Sequence, residues 1–243
     1  MNKVVVKEKN SEILLEARGI SKNFGNKVAL KDLNFKVNKG EIYCLLGQNG
    51  AGKTTTINIF LGLLKPDSGL VFINNVAASN QNTIRHSLAY IPEVVQLYNN
   101  LSGVENLDFF SRLAGQYCTT SQLEKLLITA NLQADAHHQL LSKYSKGMRQ
   151  KVGIAIALAK NASFILMDEP TSGLDPKASA EFAKTCKALS KNGIGIFMAT
   201  HDIFNAVNIG SRIGIMKEGA IVHEALSSNI TAQELHKLYL KTI

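Results

Sequence analysis

"GQNGAGKTT", residues 47–55, decides the fold. It fits the pattern G-x-x-x-x-G-K-[ST], and it lies between "EIYCLLG" (41–47), which reads as a strand, and "KTTTINIFLGLL" (53–64), which reads as a helix. In that context the pattern means a phosphate-binding loop. Gly47, Gly50 and Gly52 let backbone N–H groups approach phosphate oxygens, Lys53 reaches the outer phosphates as a point charge, and the Thr54 hydroxyl would ligate Mg2+. The whole run Gly47, Gln48, Asn49, Gly50, Ala51, Gly52, Lys53, Thr54 and Thr55 is therefore the candidate phosphate contact set.

Working outward, strand signals precede the loop at 12–17 and 28–37, with the turn "NKG" at 38–40. "KPDSG" (65–69) breaks the helix before a strand "LVFIN", and "LAYIP" (88–92) is a further strand. A helical region follows, with candidate capping boxes at Ser102 with Glu105, Ser121 with Glu124 and, later, Thr231 with Glu234. "FILMDE" (164–169) suits a strand buried on both faces. Helix "PKASAEFAKTCKALSK" begins behind Asp175 with Pro176 in its first turn, and strand "IGIFMATH" comes next. The alternation predicts an α/β fold with a mainly parallel sheet, an N-terminal antiparallel β region and an inserted helical lobe. The expected division is one domain over 1–243, with a core at about 1–92 and 161–243 and the lobe at about 93–160.

The composition is that of a globular chain: 45% hydrophobic and 19% charged, with 27 Lys and Arg against 19 Asp and Glu for a net charge of +8. The excess is scattered, so a solvated basic surface and an anionic partner both accommodate it. Cys44, Cys118 and Cys186 show no CxxC spacing, and an odd count argues against a disulfide framework. The longest apolar run, 152–159, falls short of the roughly 20 residues a bilayer crossing needs, and "MNKVVVKEKN" lacks a signal-peptide core. A membrane role would have to come through a partner.

Two acids end the buried strand. Carboxylates beside an apolar core are costly unless a cation or water uses them. Asp168 is thus assigned to the Mg2+ shell and Glu169 to polarising an attacking water. His201 closes the next strand, where a ring nitrogen could bond a γ-phosphate oxygen; a structural histidine is the competing reading. His137 and His138, in a polar helical stretch, are expected to face solvent.

These motifs together resemble the nucleotide-binding subunit of ABC transporters over nearly the whole chain. The order is that of the family: the phosphate loop, "IPEVVQLY" (91–98), the signature "YSKGM" (144–148), "FILMDE", the turn "SGLD" (172–175) and His201. The resemblance implies ATP and Mg2+ as ligands, and a head-to-tail pair of ATPase subunits, expected to be identical. Each ATP would lie between one subunit's phosphate loop and the partner subunit's signature, with Ser145 and the Gly147 backbone contacting the γ-phosphate in trans. It implies an aromatic ring on adenine at Phe24, for which a core role on a strand is the alternative. It further implies a separate transmembrane permease at the cytoplasmic face of the inner (plasma) membrane, the chain being peripheral. That permease would dock in a groove from Val94 to about Phe110, where Leu97, Tyr98, Phe109 and Phe110 offer apolar surface. No nucleic acid is expected.

Three positions depart from the family pattern. Lys146 stands where glycine is usual and Met148 where glutamine is usual, while Ser145 and Gly147 are retained. Glu93 takes the place of a glutamine that senses Mg2+ and the attacking water; its carboxylate either joins that site and retunes turnover, or turns outward. The "IPE" and "YSKGMRQ" forms resemble the export-type branch that includes sodium, bacitracin and other drug exporters. Two other classes compete with a transporter ATPase. Soluble relatives acting on ribosomes or DNA typically carry two cassettes or a long coiled coil, neither of which is present here. A regulatory ATP-binding dimer with little hydrolysis is argued against by Glu169 and His201.

Overall fold

A continuous apolar run such as "IYCLLG" belongs to a strand covered on both faces, and Ile42–Gly47 (β3) is buried throughout. In the computed structural model, which describes residues 12–78 and 87–242, β3 is central in a six-stranded sheet. The reading of the N-terminus as lacking a signal peptide lies outside the described residues. Parallel neighbours of β3 are Gly195–Thr200 (β8) and Arg212–Lys217 (β9); Phe164–Asp168 (β7) and Leu88–Ile91 (β6) continue the sheet beyond β8. Ala220–Leu226 (β10) pairs antiparallel with β9 at the other edge. The hairpin β9–β10 goes beyond the predicted elements; its turn places Glu218 and Gly219 at φ 47° and 80°, the left-handed pair that matches strand twist.

A second, antiparallel sheet is built from Ile13–Phe24 (β1), Lys27–Asn38 (β2), Ser68–Ile73 (β4) and Val76–Ala77 (β5), in the order β2-β1-β4-β5. Side chains alternate across a strand, so the central strands feed two cores. Ile42, Cys44, Leu46, Ile165, Met167, Ile196 and Met198 point to a core shared with the helices. Tyr43, Leu45, Phe164, Leu166, Phe197 and Ala199 point to one shared with the antiparallel sheet. Phe197 is the hub of the second core: its ring lies 5.5 Å from Phe35, 5.9 Å from Tyr43 and 5.6 Å from Phe60, joining β8, β2, β3 and the helix Lys53–Phe60 (α1). Phe197→Ala is expected to destabilise the protein by about 3–5 kcal/mol, measured as a shift of the urea midpoint at unchanged slope.

Between β6 and β7 the regular structure is helical: Gly103–Leu113 (α2), Thr120–Thr129 (α3) and Lys146–Ala159 (α4). The capping boxes at Ser102 with Glu105 and at Thr231 with Glu234 are both formed. The one predicted at Ser121 with Glu124 is not: Thr119 caps α3 and Gln122 closes the box, while Glu124 pairs with His138 instead. His137 is not solvent-facing as predicted but buried, its Nε2 3.1 Å from the Leu132 carbonyl oxygen. Helix α1 also stops short of its predicted end, at Phe60, and Gly62 with φ 69° turns the chain away. Pro176–Lys191 (α5), Ile203–Ile209 (α6) and Ala232–Thr242 (α7) complete the order. All three cysteines are free thiols. Among the described residues no helix is long and apolar enough to cross a membrane.

Candidate active site at the carboxyl ends of the parallel strands

Ligands of open α/β sheets collect beyond the carboxyl ends of parallel strands, and this chain places its polar residues there. Gly47 ends β3, Asp168 ends β7 and Thr200 ends β8, all within one parallel ladder. The loop from Gly47 to Gly52 turns directly into α1, whose N-cap is Gly52 with φ 115° and no side-chain cap. The first N–H groups of α1 therefore have no side chain to satisfy them, and such a helix start favours an anion. Gly52 is required twice over: its φ is left-handed, and a Cβ there would sit 2.7 Å from the Ala29 carbonyl oxygen.

The loop borders a cavity of about 360 Å³ whose lining includes Phe24, Gln48, Asn49, Gly50, Gly52, Lys53, Thr54, Thr55, Glu93, Asp168 and Glu169. Phe24 is half exposed at this mouth, so its ring is not a core side chain. Gly47 and Ala51 lie behind the lining, the Ala51 carbonyl accepting from Gly219 N. Lys53 is buried, and its Nζ donates to the carbonyls of Gly47 at 2.6 Å and Gln48 at 3.3 Å and lies 3.6 Å from Glu169 Oε1.

Thr54 Oγ1 donates to Asp168 Oδ2 at 3.3 Å. Burial, first, and the neighbouring Glu169, second, push the Asp168 carboxyl above its ordinary range. A cation would relieve that strain. The donors are a hydroxyl and a carboxylate, both hard oxygens, and among the described residues no group of three or more His, Cys, Asp or Glu is arranged to hold a metal ion by itself. That fits a cation held by few protein oxygens and mostly by substrate phosphates and water, the manner of Mg2+.

Glu169 sits at φ 44°, a sparsely populated conformation for a residue with a side chain, held by its N–H to the Ala199 carbonyl. Its carboxylate lies between two cationic or donor groups: Oε1 faces Lys53, while Oε2 accepts from His201 N at 3.2 Å and lies 2.9 Å from His201 Nδ1. His201 thus touches the site through Glu169 and opens onto an adjoining cavity lined also by Ser172 and Asp202.

Glu93 neither turns away nor hangs free in the cavity. Its Oε1 accepts from Ser172 Oγ at 2.8 Å and lies 3.5 Å from Lys146 Nζ. The Ser172 hydrogen bond, first, and the Lys146 charge hold its carboxyl below the usual range. Neither contact partner was signalled by spacing, because Ser172 and Lys146 lie far along the chain.

The signature residues Ser145 and Gly147 face elsewhere. Ser145 is the N-cap of α4, its Oγ accepting from Met148 N at 3.3 Å, and Gly147 packs against Ala178. Both line a separate cavity with Asp175 and Lys177, not the one beside Lys53. The Ser145 hydroxyl still has its proton to donate. At the rim of the helical region Tyr98, Phe109 and Phe110 form a ring cluster with centroids 5.0–6.1 Å apart. Tyr98 is about half exposed and Phe109 more than a third, and buried Asn106 fixes the Tyr98 backbone through both its N–H and its carbonyl.

The chain is similar to known proteins over most of its length. Residues 30–172 match the family described as ABC transporter. A bacitracin transport ATP-binding protein of Enterococcus faecalis is 35% identical over 228 residues, covering 93% of this chain and 72% of that protein. Its namesake in Bacillus licheniformis is 34% identical over 87% of this chain and 69% of its own length. Among solved structures, an ATP-binding cassette determined as a dimer in a post-hydrolysis state with ADP and Pi superposes with a TM-score of 0.77 at 27% identity, over 88% of this chain and 99% of that one.

Proposed function

Since this chain belongs to the ABC transporter family as an ATP-binding and ATP-hydrolysing subunit, we propose that two copies of it close head to tail on two ATP molecules and so drive an exporter. The observation that carries this reading is the division of the anion-binding parts. Within one chain the phosphate loop and the Ser145–Gly147 helix start line different cavities, which supports their meeting one triphosphate across two subunits. ATP then joins two positively presented surfaces, and hydrolysis weakens the joint.

In the proposed site Phe24 stacks on the adenine, the loop N–H groups and Lys53 hold the phosphates, and Ser145 and Gly147 of the second copy close on the γ-phosphate. Thr54 and Asp168 would hold Mg2+, with Glu93 at the rim of the same cavity. When bound, Mg2+ offsets charge on the β- and γ-phosphates. Glu169 orients the water and accepts its proton as the water oxygen bonds to the γ-phosphorus and the bond to the β-phosphate oxygen breaks. The His201 N–H holds the Glu169 carboxylate in place, and its ring Nδ1 lies 2.9 Å from the same oxygen, which supports a place for the ring beside the γ-phosphate.

Export as the direction rests on the bacitracin transport relatives. The ring cluster of Tyr98, Phe109 and Phe110, exposed at its first two members, is proposed to receive a separate permease, with the chain lying peripherally at the cytoplasmic face of the membrane. Mild extraction of the tagged chain from its host tests this. Stoichiometric recovery of a multi-spanning protein together with Mg-ATP hydrolysis is expected. Recovery with ribosomes or DNA and without a membrane protein would overturn the transporter reading.

A further inference from the structure

The two charged departures from the family's motifs lie against each other. Lys146 is the first residue of α4, and its ammonium faces the Glu93 carboxylate. One turn on, Gln150 is fully buried and donates from Nε2 to the carbonyl oxygens of Pro92 and Glu93, at 3.2 and 3.1 Å. Residues four apart share a helix face, so α4 grips Glu93 twice, by an amide on its backbone and an ammonium on its carboxylate. Ser172 closes the arrangement from the "SGLD" turn.

The charge balance gives this grip a consequence. The cavity already holds the carboxylates of Asp168 and Glu169, against Lys53 between loop and acid and Lys27 beside Phe24. Glu93 adds a third acid to the lining of a site that takes a triphosphate. Like charges at that range oppose binding unless one is compensated. Gln150 fixes where the backbone stands, but an amide does not balance a carboxylate. Lys146 does both.

We infer that Lys146 is a positioning residue for Glu93, holding its carboxylate paired at the rim so that ATP enters the cavity without facing a third unpaired acid. The inference rests on the ATPase reading above. It also differs from a role for Lys146 at the partner subunit's nucleotide, because it predicts that Lys146 matters only while residue 93 carries a charge.

The test is a double-mutant cycle of Lys146→Met, Glu93→Gln and the pair, with Lys146→Arg as the charge-conserving control. Lys146→Met is expected to raise the KM for ATP on the order of 5–10-fold, and this penalty should shrink as salt screens the exposed groups. In the Glu93→Gln background the same substitution should change KM by less than about 2-fold. Lys146→Arg should stay near wild type. An equal penalty in both backgrounds would overturn the inference and place Lys146 on the nucleotide or on the fold.

The side-chain carboxyl carbon resonance of Glu93 in the nucleotide-free protein judges the pairing independently of ATP, because the ammonium sits on that carboxylate. Lys146→Met should move it, and Lys125→Met, on α3, should leave it in place. An unmoved resonance in Lys146→Met overturns the pairing. A wild-type chain without ATPase activity would instead overturn the functional reading, leaving the resonance to decide the pair.

Discussion

Lys53→Ala is expected to weaken ATP binding by about 100-fold or more, because two or more charge-assisted hydrogen bonds of roughly 1.5–3 kcal/mol each are lost at once. The geometry explains why no neighbour substitutes for it. Lys53 is buried at the start of α1, its ammonium in reach of the Gly47 and Gln48 carbonyls and of Glu169. Triphosphate oxygens compete for those same N–H donors. Without the ammonium, the Gly47 and Gln48 carbonyls and Glu169 would all present negative charge or dipole toward the phosphates, turning the cavity from attractive to repulsive. Titration calorimetry with ATP reads the loss, and a thermal melt confirms that the variant is folded. Wild-type affinity in a folded Lys53→Ala protein would remove the loop between Gly47 and Thr55 from the nucleotide site.

That loop was legible in the sequence because its parts are local. A loop whose backbone N–H groups bind an anion needs glycines at fixed offsets, and Gly52, with φ 115° and the Ala29 carbonyl against it, shows why. The buried strands were legible for a related reason: a strand covered on both faces leaves an unbroken apolar run, as in Phe164–Asp168. What the sequence hid depends on contacts across the chain. His137 and His138 are adjacent and chemically identical, yet the Leu132 carbonyl takes one into the interior while the other reaches Glu124 at the surface. The cap of α3 was misplaced because "TTSQLE" carries two overlapping capping patterns, and only the Thr119 and Gln122 pair forms the reciprocal bonds. Glu93 was legible as a departure but not as a contact, since Ser172 and Lys146 reach it through the fold.

Glu169→Gln is expected to slow turnover by roughly 1,000-fold, the range for removing a general base, while leaving ATP bound. The substitution is nearly isosteric, and an amide oxygen can keep the hydrogen bond from His201 N that now ends on Oε2. It also removes a negative charge 3.6 Å from Lys53, which strengthens the hold on the triphosphate. Binding without hydrolysis should then accumulate the joined state. Size-exclusion chromatography in Mg-ATP is expected to show a dimer, and the same protein in Mg-ADP a monomer, because loss of the γ-phosphate removes the anion that Ser145 and Gly147 of the second copy would hold. The two readouts separate two claims. A monomer at saturating Mg-ATP would count against the trans arrangement, since the cavity beside Lys53 and the one beside Ser145 would then fill independently. Unimpaired turnover would leave the dimer standing and move the proton acceptor away from Glu169, even though the strained backbone at φ 44° fixes its carboxylate between Lys53 and His201.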